Sequence, residues 1–524
     1  MKYNCQFSFK LREKLPPVAE KKLDFWLDEF QQMLEEKIKK EDLPGVSKIK
    51  NWKIVEDTKK NDKILFNITS GITIPPHQAL LRLRKFLATK IGREFHIGID
   101  AVNIESYKIE VEIPAVPVKK FSLPFVKEIT FKEETAKLEL EQDIPIDLIE
   151  KGAIDRIIKL VPQKIIEQQT RGKDEHHLVI WSSKEKKPKV KVNPTEELVK
   201  KGWIERTNYR NQWIFAPPSA AFTEALKAIM VKYLYDDLGF KNMLFPKVVP
   251  WEVWKRSGHL SGIFQGGFEP YFVCTPKTAD PEYWEEIADY FRITLDIKPE
   301  MIKEKLRPPI GGLSFAQCPP FWSYLQGKTI ADESFPILVY DWSGPTYRYE
   351  SGAAHGFERV DELHRIETLY IGFPDQIKEV AQKIRVRFRK IFDEILDLEF
   401  REAWVTPWWT SQEGGIEEKD QPMISLDAFD QKGTIDFEVY LPYQGKRESS
   451  EWLETQNISV VEDKYTRGFT VKAQSGKELW SGCAGGSFER FMSAFIAQKG
   501  TNPDNWPKIV RKYIDKLPEN PIFL

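Results

Sequence analysis

Between positions 3 and 9 the chain alternates, with Tyr3, Cys5, Phe7 and Phe9 on one side and polar residues between them. That period predicts a half-buried strand. Pro16 and Pro17 precede a stripe of Leu23, Trp26, Phe30, Leu34 and Ile38, which predicts an amphipathic helix. Strand-like runs follow at 47–56 and 62–69. Residues 77–92, HQALLRLRKFLATKIG, predict a helix ended by Gly92. Strands near 105–113 and 124–141 and a helix near 145–169 complete the set. Strands mixed with helices over roughly 165 residues predict one α+β domain of ordinary size.

The pattern changes after that. Residues 182–194, SSKEKKPKVKVNP, are rich in lysine and poor in apolar side chains, as linkers are. The expected organisation is a domain over 1–170, a linker over 171–194 and a second domain over 195–524. In the second domain a long helix is expected from Ser219 to Leu238, stopped by Gly239, then a short strand ended by Pro246. Residues 280–306 predict two helices joined by an ITLDIKP turn, a helix-turn-helix-like insert. Its first helix lacks the basic face of a nucleic-acid reader. A last helix is expected near 506–516.

Composition narrows the class. With 524 residues, 41% hydrophobic and 30% charged, the chain can bury a core in each of two to four domains. No run of 18 apolar residues occurs, so no membrane span is expected. The N-terminus MKYNCQFSFK lacks a signal-peptide core. Four widely spaced cysteines, Cys5, Cys274, Cys318 and Cys483, fit a reducing compartment and a cytoplasmic protein. The formal net charge is −1, but residues 1–190 hold 36 Lys+Arg against 30 Asp+Glu, and the remainder 42 against 49. A basic first part on an acidic body hints at a polyanionic partner. Arg82, Arg84, Lys85, Lys90 and Arg93 cluster on and just after the 77–92 helix, with no acid before Glu94. They are either a solvated face or a phosphate-backbone surface for RNA.

Two downstream stretches carry the candidate chemistry. Residues 347–371, YRYESGAAHGFERVDELHRIETLYI, predict strand, loop, strand. Arg348 and Glu350 share a strand face, the loop carries Arg359, and Arg365 and Glu367 share a face on the return. Three arginines and two carboxylates suit a polyphosphate and an amine held together, although a solvated cross-strand charge ladder has the same alternation. Residues 479–492, LWSGCAGGSFERFM, read as a glycine-rich turn opening a helix with Glu489 and Arg490, its N–H groups free for an anion.

Together these resemble motifs 2 and 3 of the class II aminoacyl-tRNA synthetases. The motif 2 form R-x-E, loop, R-x-x-x-F-x-x-x-E is matched at Arg348, Glu350, Arg359 and Glu367, with Leu363 in place of phenylalanine. Residues 217–246 resemble motif 1, which implies a homodimer. The resemblance implies a catalytic domain of antiparallel sheet flanked by helices, beside a separate N-terminal α+β tRNA-binding domain. Arg348 would hold the ATP α-phosphate and Arg359 the γ-phosphate. Arg490 would hold the γ-phosphate while lying over the adenine, which Leu363 covers. Glu350 and Glu454 would contact the nucleotide and Mg2+.

GGLSFAQCPPFW at 311–322, REAWVTPWWTSQ at 401–412, WLETQNIS at 452–459 and LWSGCAGG narrow the resemblance to the zinc-dependent seryl-tRNA synthetases of methanogenic archaea. The segment 413–435 is longer than that family's norm. The resemblance implies one catalytic Zn2+ per subunit on Cys318, Glu367 and Cys483, binding the amino group of L-serine. Two thiolates, a carboxylate and an open fourth position are sound zinc chemistry. By spacing alone Cys318 and Cys483 are ordinary buried cysteines. Glu350, Arg365, Trp408, Gln412, Asn457 and Ser459 are the serine-binding candidates. The implied activity is serine–tRNA ligation: ATP activates serine, which passes to the 3′ end of tRNA(Ser). Two alternatives are a related ligase charging a carrier protein and a non-catalytic RNA-binding paralogue.

Overall fold

The computed structural model describes residues 1–36, 38–58, 61–169, 177–209, 211–260, 268–269, 271–350, 356–405, 433–514 and 516–522. The chain divides into two compact units, Met1–Asp174 and Glu175–Leu524.

The first unit is an antiparallel sheet of six strands. These are β1 (Lys2–Leu11), β2 (Lys48–Thr58), β3 (Asn61–Ser70), β4 (Ile99–Glu112), β5 (Val126–Phe131) and β6 (Thr135–Leu140), in the order β2-β3-β1-β4-β6-β5. The alternation on β1 is obeyed: Tyr3, Cys5, Phe7 and Phe9 are all buried. They pack with residues of α1 (Ala19–Glu35), α2 (Pro76–Phe95) and α4 (Ala153–Gln169), which follows the short α3 (Ile146–Glu150). The expected strand at 124–141 is two strands, with Lys132 and Thr135 bonded across the turn between them. Helix α2 runs past Gly92 and ends at His96, which adopts φ 60° and donates its N–H to the Gly92 carbonyl. Glycine inside a helix weakens it without stopping it, and histidine is among the residues that tolerate the left-handed region.

The second unit is built on a larger sheet. Its strands are β7 (His177–Ser182), β8 (Lys241–Asn242), β9 (Ile337–Asp341), β10 (Pro345–Tyr347), β11 (Glu362–Gly372), β12 (Phe400–Val405), β13 (Gly433–Tyr440), β14 (Trp452–Glu462) and β15 (Trp480–Ser487). The order is β8-β9-β11-β15-β14-β13-β12-β7, with β10 also paired to β11. Every pairing is antiparallel except β8 with β9. Strand β7 corrects part of the expected linker: HLVIWS pairs with β12, and among the linker's described residues 183–193 lack regular structure. The lysines after it hid an apolar strand that opens the second unit.

One face of this sheet is the main core. Ile366, Tyr370, Ala484, Ile458, Phe437 and Phe400 are buried there. So are residues of α5 (Pro217–Met230), α7 (Pro374–Lys390) and α8 (Phe488–Lys499). Helix α5 continues as a π-helix over Val231–Asp236, and Gly239 terminates the run at φ 79°. Strand periodicity sends the alternate residues, Arg365, Glu367, Cys483, Asn457 and Ser459, to the other face. That face is covered in part by a second core holding Phe321, Trp322, Leu369 and Tyr465. It is supplied by α6 (Cys318–Leu325) and the short helix Lys464–Gly468. The expected insert is present as helices Glu285–Thr294 and Pro299–Lys305.

Candidate active site

Strand β11 carries the centre. Arg365 and Glu367 project side by side, with Arg365 Nη2 donating to Glu367 Oε2 at 3.0 Å. Opposite them on β15 stand Ser487 and Gly485. A methyl group on Gly485 would overlap both the Arg365 guanidinium and the Glu367 carboxylate. The glycine run is therefore not the anion-binding turn expected from sequence. It is a strand whose small residues leave room for the side chains of β11. The N–H of Gly485 is also taken, donated to Asn457 Oδ1 at 3.3 Å. The helix starts at Phe488, capped by the Ser487 hydroxyl, which accepts the Arg490 N–H at 3.4 Å.

Arg490 leans back over the sheet, donating from Nη1 to Glu454 Oε2 at 2.9 Å and from Nε to the Glu358 carbonyl at 3.3 Å. Loss of water would raise the Glu454 carboxyl, but Arg490 and Arg348 outweigh it and hold it below the usual carboxylate value. Asn457 Nδ2 donates to the same carboxylate at 3.4 Å. Arg348 donates its backbone N–H to the Asp361 carbonyl at 2.8 Å, and its guanidinium lies 4.7 Å from the Phe315 ring centroid. Arg359 is exposed at the end of the loop. Leu363 is buried, paired with Thr346. Glu350 lies in a two-residue strand paired with Phe268, and its side chain is outside the described residues. Trp408, Gln412 and 413–432 of the long segment also lie outside them.

Cys318, Glu367 and Cys483 come from α6, β11 and β15, and all three are buried. They influence one another. Burial pushes the Cys318 thiol up to about 12, with Glu367 adding to the rise. Burial, Glu367 and Cys318 likewise raise Cys483. Burial raises the Glu367 carboxyl, Arg365 pulls it back, and the Asp341 carboxylate adds to the rise. Two thiols and a carboxylate are the donor types that zinc takes. Among the described residues, no three His, Cys, Asp or Glu side chains are drawn together closely enough to hold a metal. The donors fit zinc by type and burial, with Glu367 turned to Arg365.

Sequence reasoning missed one group on this face. Asp341, fully buried, stands opposite Glu367. It takes Lys247 Nζ at 2.8 Å and Gln317 Nε2 at 3.0 Å, and so ties β9 to the residue before Cys318. The signal was a lone carboxylate closing the apolar run ILVYD. Ser459, opposite Cys483, shares a 2.8 Å hydrogen bond with Thr434. Glu489, read from sequence with Arg490, faces away: it accepts from the backbone N–H and Nδ1 of His364, both at 2.8 Å.

On the first unit, the basic cluster divides. Arg84 and Lys90 pair with Glu150 and Glu29, at 3.5 and 2.7 Å. Arg82, Lys85 and Arg93 are exposed, at spacings that put them on one side of α2.

A family model described as a tRNA-binding domain matches residues 1–163. The chain is 42% identical to the type-2 serine--tRNA ligase of Methanococcoides burtonii, over 100% of both chains. The chain belongs to the type-2 serine–tRNA ligases. The ligase of this type from Methanothrix thermoacetophila is 39% identical over 100% of both chains. The crystal structure of A. aeolicus tRNASec in complex with M. kandleri SerRS matches with TM-score 0.79 and 29% identity, covering 100% of this chain and 99% of that one. A type-2 ligase with a tRNA-binding domain leaves neither a carrier-protein ligase nor a non-catalytic paralogue favoured. No helix among the described residues is long and apolar enough to cross a membrane.

Proposed function

We propose that this serine–tRNA ligase activates L-serine with ATP and passes it to the 3′ end of tRNA(Ser), on the face of β11, β15 and β14. The Arg365–Glu367 pair packed against Gly485, with Arg490 and Glu454 beside it, carries this reading. Serine's carboxylate attacks the ATP α-phosphorus in line and pyrophosphate leaves, so the protein supplies position and charge and no nucleophile. Arg348 holds the α-phosphate and Arg359 the γ-phosphate. Arg490, held by Glu454, holds the γ-phosphate and covers the adenine, with Leu363 beneath. Mg2+ accompanies ATP, with Glu454 and Glu350 as its protein neighbours. Arg365 orients the amino acid, and Asn457 and Ser459 stand on the face that receives its side chain; Glu350, Trp408 and Gln412 are the further candidates for serine. A partner for the serine hydroxyl rejects alanine by leaving a buried polar group unpaired, and a wall rejects threonine by overlap.

Cys318, Glu367 and Cys483 are the residues that would hold one zinc ion per subunit. Bound there, zinc offers an open coordination position to the serine amino group. Arg82, Lys85 and Arg93 line the tRNA contact surface, helped by Arg84 and Lys90. The enzyme works in the cytoplasm as a homodimer through the segment 217–246.

The test is metal removal. Chelator-stripped protein should lose serine-dependent ATP–pyrophosphate exchange, keep its ATP affinity and recover on adding zinc. Full exchange in metal-free protein would remove zinc from the reading.

A further inference from the structure

The ladder between β11 and β15 stops at Arg365 opposite Ser487, because the chain turns into α8 at Phe488. Strand β11 reaches further, with Leu363 and His364 paired to β10 on its other edge. His364 is the first residue past the end of the ladder. In place of a strand, that edge takes a side chain of α8. Glu489 Oε1 accepts the His364 backbone N–H and meets Nδ1 of its ring, both at 2.8 Å. A carboxylate only accepts, so the ring carries its hydrogen on Nδ1. Glu489 Oε2 accepts the Ser487 hydroxyl at 2.7 Å, and that hydroxyl accepts the N–H of Arg490 at 3.4 Å. The His364 ring packs on Phe215, with centroids 5.0 Å apart.

Glu489 is 1% exposed, and burying a carboxylate is costly unless it is hydrogen-bonded. This one takes three donors, all of them where β11 and β15 part. The contact lies on the reverse of the site face, but each residue it joins is the chain neighbour of a site residue. Leu363 and Arg365 flank His364, and the pleat turns both to the other face. Arg490 follows Glu489 and reaches back to Glu454 at 2.9 Å. Arg365 is held by the ladder and by Glu367. Leu363 lies beyond the ladder, so its placement against Arg490 is set by the contact of their neighbours, His364 and Glu489.

We propose that His364 and Glu489 are positioning residues for ATP: their contact carries the pairing of β11 past the end of β15 and fixes the spacing of Leu363 and Arg490, the two side chains that close on the adenine. The inference rests on the assignment of Leu363 and Arg490 to ATP above. His364 and Glu489 touch no substrate. They act through the residues beside them in the chain.

The test is ATP–pyrophosphate exchange by the full-length protein, with ATP and serine varied in turn. Glu489→Ala removes the acceptor. Glu489→Gln keeps an acceptor for the His364 N–H. His364→Phe keeps a ring against Phe215 and the backbone N–H, and loses Nδ1. A group misplaced by about 1 Å costs on the order of 100-fold in rate. Glu489→Ala should lower kcat/KM for ATP by that order and leave the KM for serine unchanged, since Arg365 keeps its ladder. His364→Phe should lower the same constant by less, and Glu489→Gln should recover most of the loss. ATP kinetics equal to wild type in His364→Phe and Glu489→Ala would overturn the role, and so would a loss shared equally by ATP and serine. If Glu489→Ala does not fold, His364→Phe decides alone, by the same two outcomes. Arg490→Gln, run beside them, should lose at least as much toward ATP as Glu489→Ala. Unchanged ATP kinetics in Arg490→Gln would instead overturn the assignment of Arg490 to ATP, and the positioning role with it.

Discussion

The Arg365 guanidinium and the Glu367 carboxylate lie 3.0 Å apart, the carboxylate buried and the guanidinium partly so, on one face of one strand. Neither could sit there if the strand beside them carried a side chain at 485. Gly485→Ala should leave the fold intact, because a strand tolerates alanine, and displace the pair. A shift of about 1 Å in a positioning group costs on the order of 100-fold in rate. Serine-dependent kcat/KM should fall by that factor while ATP affinity stays near wild type. Unchanged serine kinetics would mean that the pair does not set the amino-acid site.

His364 and Glu489 give a pH dependence of stability. Burial pulls the imidazole's pKa down, but the hydrogen bond and charge of Glu489 outweigh it, so the folded value lies above the ordinary histidine value of 6.5. A raised value means that the folded state binds the proton more tightly than the unfolded one. The stabilisation is fully present below about 6.5, the unfolded value, and is lost as pH rises through the folded value. Melting temperatures of wild type and His364→Gln should differ most near pH 6 and converge at higher pH. A gap that widens with pH would contradict the sign.

Glu402 is fully buried between two arginines, 2.6 Å from Arg385 Nη2 and 2.6 Å from Arg389 Nε. It staples α7 to β12. Removing the carboxylate takes from buried Arg385 and from Arg389 the acid they share, and breaking a buried pair costs about 3–5 kcal/mol. Glu402→Ala should show that loss in urea unfolding of the second unit. A loss below about 1 kcal/mol would place the stability of that edge elsewhere, in the range of an exposed pair.

The division of the basic cluster on α2 predicts unequal effects on tRNA binding. Replacing Arg82, Lys85 and Arg93 with Gln should lower the slope of log K against log salt by about one for each cation removed. Replacing Arg84 and Lys90 should change it less, since their charges already face Glu150 and Glu29. Equal slopes for the two sets would show that the surface is not this stripe.

Much of this was legible in the sequence where a short period governs. The alternation at Tyr3 to Phe9 gave β1, and Arg365 and Glu367 were placed on one face two residues apart, as they are found. What failed depended on neighbours distant in the chain. The role of Gly485 is set by side chains more than a hundred positions earlier, so a glycine run was read as a turn. His177–Ser182 is a strand because β12 offers it an edge, which no local composition reveals. Asp341 carried no motif. Its significance comes from Glu367, which stands opposite it on the neighbouring strand.

The central claim is that this face selects serine and joins it to AMP before any tRNA arrives. ATP–pyrophosphate exchange, measured on zinc-loaded protein without tRNA across the standard amino acids, tests it directly. The account predicts exchange with serine, and only background with alanine, threonine or cysteine. Exchange driven by another amino acid and absent with serine would contradict it.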